Sequence, residues 1–493
     1  MSPLETLAAS YIDGSFAIPS GDRLTLVNPA DGRTFHEVAV AGQDDVAAAV
    51  LGSARAQTDW MRLSPAERGE RLRRWGDAIA DHADELARLD TRSMGRALRD
   101  SAPEAVAITR LPRYWAGMAD KLLGQQIPIA DGYLSYTVRE PLGVIGIILP
   151  WNGPVAAFVE KACVALACGN GVVVKPSEYS PLSALRLAEL AVQSGMPDGL
   201  VNVVVGGGAV GAMLAEHPGV GGVTFTGSVA TGRRVATAAA QRFAKATLEL
   251  GGKSPNIVFA DADIDAALRG TTWGVLYNSG QVCCAGTRLL VHESIRDVFV
   301  SRLGELMSQV RVGDPMDTRN HIGPVVSASQ FERIGGMLER AQAAGATVTT
   351  LASAHAERSP DGFFCDPTLV QDVSPTSEIA QQEVFGPVLT VLPFSTEEEA
   401  LELANSVEYG LAAKVWTRDI GTMLRLANGL EAGSIWGNTA QIGSPAVPFG
   451  GFKDSGVGSS SGQIGIDGVT RTKAISIRYG ESAKAPGWDD LTP

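Results

Sequence analysis

The stretch Gly171-Val-Val-Val-Lys-Pro-Ser-Glu178 decides how the rest of the chain is read. Its first four residues form an unbroken apolar run, too short for a helix and rich in β-branched side chains, as in a strand covered on both faces. Such strands belong to parallel sheets, and parallel sheets require crossover helices. Working outward, short apolar runs at residues 144–149, 200–205 and 222–225 surround this stretch, and a helical pattern over 181–194 follows it. A second alternation places candidate strands at 257–259, 288–291 and 388–393 between longer helices. The chain therefore reads as α/β, with two such units in tandem and no internal repeat or low-complexity segment.

Towards the N-terminus the texture changes. Tyr11-Ile-Asp-Gly14 and Asn28-Pro-Ala-Asp-Gly32 are turn signals in an irregular start. Residues 43–60 and 65–96 show helical periodicity, and Ser64-Pro65-Ala66-Glu67 supplies an N-cap followed by proline at the first helical position. Two amphipathic runs far apart in sequence, 133–139 and 474–479, read as lone edge strands able to pair within or between subunits.

Composition excludes several functions. The chain has 493 residues, 45% hydrophobic and 19% charged, which suits an ordinary globular protein of two or three domains. A net charge of −13 and the absence of a basic run argue against nucleic acid and anionic membranes as partners. Residues 1–15 lack the pattern of a signal peptide, and no apolar run is long enough to span a bilayer, so a cytoplasmic location is expected. Five cysteines without a Cys-x-x-Cys pair suggest neither a disulfide framework nor a zinc cluster, and six scattered histidines show no ligand spacing, so no metal is expected. No Gly-x-Ser-x-Gly elbow follows a buried strand, so serine hydrolase chemistry is poorly supported.

Three stretches carry candidate chemistry. Asn278-Ser-Gly-Gln-Val-Cys-Cys-Ala-Gly286 sets two adjacent cysteines in what reads as a flexible, glycine-bounded turn, able to present a thiolate or to pack two small residues. Lys175 and Glu178 stand just past the C-terminal end of the opening strand, where open α/β sheets bind nucleotides and where ribose hydroxyls could be held. Phe225-Thr-Gly-Ser228 followed by Gly232 reads as strand, tight turn and helix start, offering amides and a hydroxyl to a phosphate. Gly206-Gly-Gly-Ala-Val-Gly211 matches a dinucleotide fingerprint, but no acidic residue follows about 20 positions on.

Taken together with Pro150-Trp-Asn152, Glu249-Leu-Gly-Gly252, Glu383-Val-Phe-Gly-Pro387 and Pro448-Phe-Gly-Gly451, these motifs resemble the NAD(P)-dependent aldehyde dehydrogenase superfamily. They occur in that family's order and cover nearly the whole chain. The resemblance implies a Rossmann-like cofactor domain (residues 1–122 and 142–251), an α/β catalytic domain (252–468) and a small β oligomerisation element (123–141 and 469–493). It implies a homodimer or homotetramer.

By the same resemblance, Cys283 is the nucleophile, Asn152 with the Cys283 backbone N–H receives the oxyanion, and Glu249 activates the water that hydrolyses a thioester. Lys175, Ser177 and Glu178 correspond to adenosine-ribose contacts, Ser228 and Gly227 to the pyrophosphate site, and Glu383 with Phe385 to the nicotinamide ribose. Ile148, Trp151, Gly208, Phe225 and Leu250 complete the implied cofactor site. A carboxylate at Glu178 would repel a 2′-phosphate, so NAD is expected over NADP.

The resemblance implies a small-molecule aldehyde as substrate. Gly153, Ala156, Ala157 and Glu160 share one face of a helix starting at Pro154, and family members often carry larger residues there. Small side chains suggest a wide passage, and Glu160 either attracts a cationic aldehyde or pairs with a neighbouring base and faces away. Tyr277, Val282, Cys284 and Gln441 are the other expected tunnel residues, with 439–445 as the opposite wall.

One departure stands out: after Gly458 the family commonly has Arg-Glu, whereas this chain has Ser459, Ser460 and Ser461. The expected consequence is altered loop packing or subunit contact, not altered chemistry. Two rival readings remain, a CoA-acylating branch that generally lacks the glutamate base, and a silent scaffold of the same fold. Finally, a helix over about 264–278 would end before Cys283, and a helix C-terminus does not stabilise a thiolate, so activation must come from other donors or the cofactor.

Overall fold

The computed structural model describes residues 6–17, 21–351 and 357–480; residues 1–5 and 481–493, which belong to the expected N-terminal and C-terminal spans, lie outside it. An eight-stranded sheet is built around the opening stretch. Its centre is five parallel strands in the order Val201–Val203, Gly171–Lys175, Val144–Ile148, Val220–Thr226 and Lys245–Glu249. Strand order reverses between Val144–Ile148 and Val220–Thr226, and ligands of open α/β sheets bind at such a switch point, beyond the carboxyl ends. Every residue of Gly171–Lys175 is buried, which explains the absence of alternation in that run.

Helices cover both faces. Gln43–Arg62 and Pro65–Asp81 bury Trp60 and Trp75, whose indole N–H groups donate to Leu166 O at 2.9 Å and Leu187 O at 3.1 Å. Ser64 and Glu67 form the reciprocal cap read in the sequence. The helix expected over 65–96 is two helices, Pro65–Asp81 and Ala83–Met94. His82 departs from helical geometry between them (φ −110°, ψ 14°), a break that no proline or glycine announces.

The second sheet has seven strands, six of them parallel, in the order Thr347–Thr350, Thr368–Gln371, Val388–Phe394, Arg288–His292, Pro255–Val258, Ala412–Trp416 and Ser434–Gly437. Only Thr347–Thr350 runs antiparallel to its neighbour. Residues 250–254 connect the two sheets directly, so the end of the Lys245–Glu249 strand lies beside the start of the Pro255–Val258 strand. One strand crosses the expected 251/252 boundary: Gly456–Val457 pairs with Leu248 and Glu249 and extends the first sheet. The two lone strands pair with each other in one chain, Tyr133–Pro141 antiparallel to Thr470–Arg478 over nine residue pairs. Among the described residues the outer edge of Thr470–Arg478 meets no further strand, and no helix is long and apolar enough to cross a membrane.

Candidate active site

A cleft of about 380 Å³ lies where the two sheets meet, and the thiol, the amide and the carboxylate singled out in the sequence all open into it. Cys283 is delivered by a turn that buried hydrogen bonds hold in place, where the sequence suggested a flexible one. The helix Ile264–Leu276 ends at Leu276, and Asn278, Ser279 and Gly280 follow with φ of 51°, 56° and 74°. Left-handed backbone is uncommon for a residue such as Ser279 and persists only when surroundings enforce it. Here Asn278, Ser279 and Gln281 are buried. Ser279 Oγ donates to Gly323 O at 2.8 Å, Gln281 Nε2 to Asn278 O at 3.1 Å, and Val326 N to Gln281 Oε1 at 2.9 Å. Gly280 must be glycine, because a Cβ would stand 2.1 Å from Gly386 O.

Asn152 is tied to the same turn. Its Nδ2 donates to Gln281 O at 2.9 Å, and Asn278 Nδ2 donates back to Asn152 O at 3.0 Å. A primary amide has a second N–H, which leaves Asn152 a donor for the cleft. The Cys283 backbone N–H donates to no group among the described residues. The neighbouring Cys284 side chain, burial and the carboxylates of Glu383 and Glu249 all push the Cys283 thiol upward. Cys284 is buried against Leu411, Ala412 and Trp436, with its carbonyl accepting from Lys414 Nζ at 2.6 Å.

Glu249 ends a strand, is 4% exposed, and keeps Oε2 without a hydrogen-bond partner. Burial first, then the nearby Glu160 charge, raise its carboxyl to about 7, against the opposing pull of Lys161 and Ser460. The two glycines after it are explained by close approach: a Cβ on Gly251 would lie 2.4 Å from Glu383 Oε2, and one on Gly252 would lie 2.5 Å from Cys283 O. Gly252 N–H donates to Glu383 Oε1 at 3.0 Å.

The serine run that replaces a charged motif touches the reactive groups, which corrects the expectation that it leaves them alone. Ser460 exchanges two backbone hydrogen bonds with Phe449, folding the loop back into the cleft. Ser460 N then donates to Glu249 Oε1 at 3.1 Å, Lys161 Nζ donates to Ser460 Oγ at 3.2 Å, and Ser461 Oγ donates to Glu160 Oε1 at 2.7 Å.

The expected cofactor residues form a ledge at the switch point. Lys175 is buried, donates to Gly206 O at 2.9 Å and faces Glu178 at 3.7 Å. Ser177 Oγ also donates to Glu178, at 3.4 Å. Ser228 caps the helix Val229–Ala240, and Gly227 N–H donates to Glu249 O at 3.1 Å. A Cβ on Gly227 would lie 2.5 Å from the Phe225 ring, whereas a Cβ on Gly207 or Gly208 would meet open space at the start of the helix Gly208–Glu216. Ile148 and Leu250 are buried nearby. Phe385, held at φ 60°, meets Trp151 edge-on at 5.2 Å, and its carbonyl accepts from Gln330 Nε2 at 2.9 Å.

All the expected tunnel residues, Gly153, Ala157, Glu160, Tyr277, Val282, Cys284 and Gln441, line the one cleft, and so do Gln441 to Pro445 of the expected opposite wall. Four residues were not read in the sequence. Arg96, buried, pairs with Glu104 and donates to the Tyr277 hydroxyl, while Lys161 and Lys414 flank the reactive groups. Nothing local marks Lys161 and Lys414, since their partners lie far along the chain.

A two-sheet α/β enzyme with a rigidly held thiol, a facing amide and a buried carboxyl is what this fold and cleft define. The aldehyde dehydrogenase family model matches residues 17–475, and the chain belongs to that family. It is 40% identical over 476 residues to an aldehyde dehydrogenase of Aspergillus niger, covering 96% of this chain and 95% of that one. A betaine aldehyde dehydrogenase of Cereibacter sphaeroides is 40% identical over 475 residues, 96% and 98% of the two chains. Among solved structures, PnpE from Pseudomonas sp. WBC-3 in complex with nicotinamide adenine dinucleotide superposes with a TM-score of 0.95 at 40% identity, covering 97% of this chain and 99% of that one.

Proposed function

We propose that the protein oxidises an aldehyde to its carboxylic acid with NAD, through a covalent adduct on Cys283 that Glu249 helps to hydrolyse. The observation that carries this reading is Glu249, a buried carboxyl raised to about 7 with one oxygen unbonded, in the same cleft as Cys283 and Asn152. A carboxyl tuned to that range is suited to take a proton near neutral pH. Cys283 Sγ adds to the aldehyde carbon, and its proton leaves for water. Asn152 Nδ2 and the Cys283 N–H receive the oxygen that becomes negative, at fixed positions set by the left-handed turn. Once the adduct has become a thioester, Glu249 accepts a proton from a water molecule that attacks it. The acid departs and the thiol is restored.

The ledge fits the cofactor. Lys175 and Glu178 offer a donor and an acceptor to ribose hydroxyls at the ends of parallel strands, the Ser228 helix start suits a phosphate, and the open space over Gly207 and Gly208 admits a ligand. NAD bound there supplies the acceptor for the hydride lost from the tetrahedral carbon. Glu178, held by Lys175 and Ser177, favours NAD over NADP because a 2′-phosphate would face a carboxylate. The edge of Thr470–Arg478, which meets no further strand among the described residues, supports a homo-oligomer, and five free cysteines are in keeping with a reducing, cytoplasmic setting.

The test is NADH formation from NAD and a panel of aldehydes, with and without CoA, using Cys283→Ala as control. Turnover without CoA is expected. A strict requirement for CoA would move the protein to the acylating branch, and no turnover on any aldehyde would favour a scaffold.

A further inference from the structure

We propose that the cleft selects aldehydes bearing a primary ammonium group, which the Glu160 carboxylate holds through N–H donors while Ser461 positions that carboxylate. The proposal rests on the aldehyde-oxidation reading and assigns its substrate class.

The helix Pro154–Ala167 sets Gly153, Ala156, Ala157 and Glu160 along the cleft wall, so the side chain that projects into the passage is an acid flanked by small neighbours. The sequence left open whether Glu160 pairs with a base and turns away. It does not: Glu160 lines the cleft, forms no ion pair among the described residues, and accepts only from Ser461 Oγ, at 2.7 Å on Oε1. That leaves Oε2 available as an acceptor. None of the cations lining the cleft is ion-paired with it among the described residues. Arg96 pairs with Glu104, Lys161 donates to Ser460 Oγ at 3.2 Å, and Arg110 donates to Gly443 O at 3.3 Å.

The kind of cation follows from the aromatic residues. Quaternary ammonium groups, which have no N–H, are recognised by several aromatic faces around the charge. Three aromatic residues line this cleft, Tyr277, Trp436 and Phe449, and two already carry a cation: Arg96 lies 4.8 Å from the Tyr277 centroid and Lys414 Nζ 5.2 Å from that of Trp436. A single remaining ring is no cage. A carboxylate with a free oxygen instead makes charge-assisted hydrogen bonds with a group that has protons to donate.

The experiment compares kcat/KM within matched pairs, so that each variant is its own control. The pairs are 3-aminopropanal with butanal and 4-(aminomethyl)benzaldehyde with 4-ethylbenzaldehyde, which exchange an ammonium for a methyl at two reaches, and 3-(trimethylammonio)propanal with 4,4-dimethylpentanal. Wild type is expected to prefer the primary ammonium in at least one of the first two pairs by about 10-fold or more, and to show no such preference in the third. Glu160→Gln should collapse that ratio to near one. Ser461→Ala should raise KM for the ammonium aldehyde with little change in kcat. No preference in either of the first two pairs, a ratio that survives Glu160→Gln, or an equal preference for the trimethylammonium aldehyde would overturn the proposal. Absence of turnover with every aldehyde, the neutral ones included, removes the parent reading and this one with it.

Discussion

The cofactor ledge and the thiol cleft are built from opposite habits. On the ledge polar groups are satisfied: Lys175 is bonded to Gly206 O and faced by Glu178, and Ser228 caps its own helix. In the cleft they are left wanting: Glu249 Oε2 is buried and unbonded, and the Cys283 N–H has no partner among the described residues. Glu249 and Glu383 make the contrast sharp. Desolvation raises both to about 7 and each accepts one backbone N–H, Glu383 from Gly252 and Glu249 from Ser460, but of the two it is Glu249 whose second oxygen is buried without a partner among the described residues. Unsatisfied buried groups cost stability, and they persist where chemistry uses them.

The contrast breaks most visibly at the thiol. Cys283→Ala is expected to lower NADH formation by at least about 10⁴-fold, the scale of losing a nucleophile, whereas Cys284→Ala, a packing change, keeps most of it; steady-state rates decide. At the base, Glu249→Gln should leave the first turnover and stall the second. Rapid mixing would then show about one NADH per site, followed by a rate on the order of 10²-fold or more below wild type.

Smaller effects sharpen the picture. Glu178→Ser should lift the efficiency with NADP relative to NAD by about 10-fold, since one repulsive charge is removed from the ledge. Glu249 must be ionised to act, so kcat limited by hydrolysis should fall as pH drops below about 7. Lys161 holds that value down, so Lys161→Met should move the acid limb to higher pH and cost a few-fold at pH 7. The raised carboxyl also has a stability sign. The folded state retains a proton that the unfolded chain sheds, so this group lowers stability as pH rises from about 4.5 to about 7. Glu249→Gln should therefore raise Tm at pH 8, and the gain should shrink towards pH 4, as calorimetry would show.

Much of this was legible in short windows. The run at Gly171–Lys175 announced a covered parallel strand because all five residues are buried, and Glu249-Leu-Gly-Gly252 carried its glycines because two other chain segments press on them. The left-handed turn before Cys283 was not legible. Asn278 and Ser279 have no intrinsic demand for positive φ, and it is Gly323, Val326 and Asn152 that hold them there. Nor was the Gly456–Val457 strand, whose two residues matter only because Leu248 and Glu249 offer an open edge.

The sequence by itself determined the α/β class, several of the parallel strands and the family, and it singled out the candidate thiol, amide and carboxyl, because periodicity and motif are local properties. Only the tertiary structure decided that Ser460 would stand on Glu249, 211 residues away, and Ser461 on Glu160, 301 residues away. It alone showed that Glu160 lines the cleft with no ion-pair partner among the described residues. Those contacts depend on how two sheets pack and how one loop folds back, and no window of sequence contains both partners.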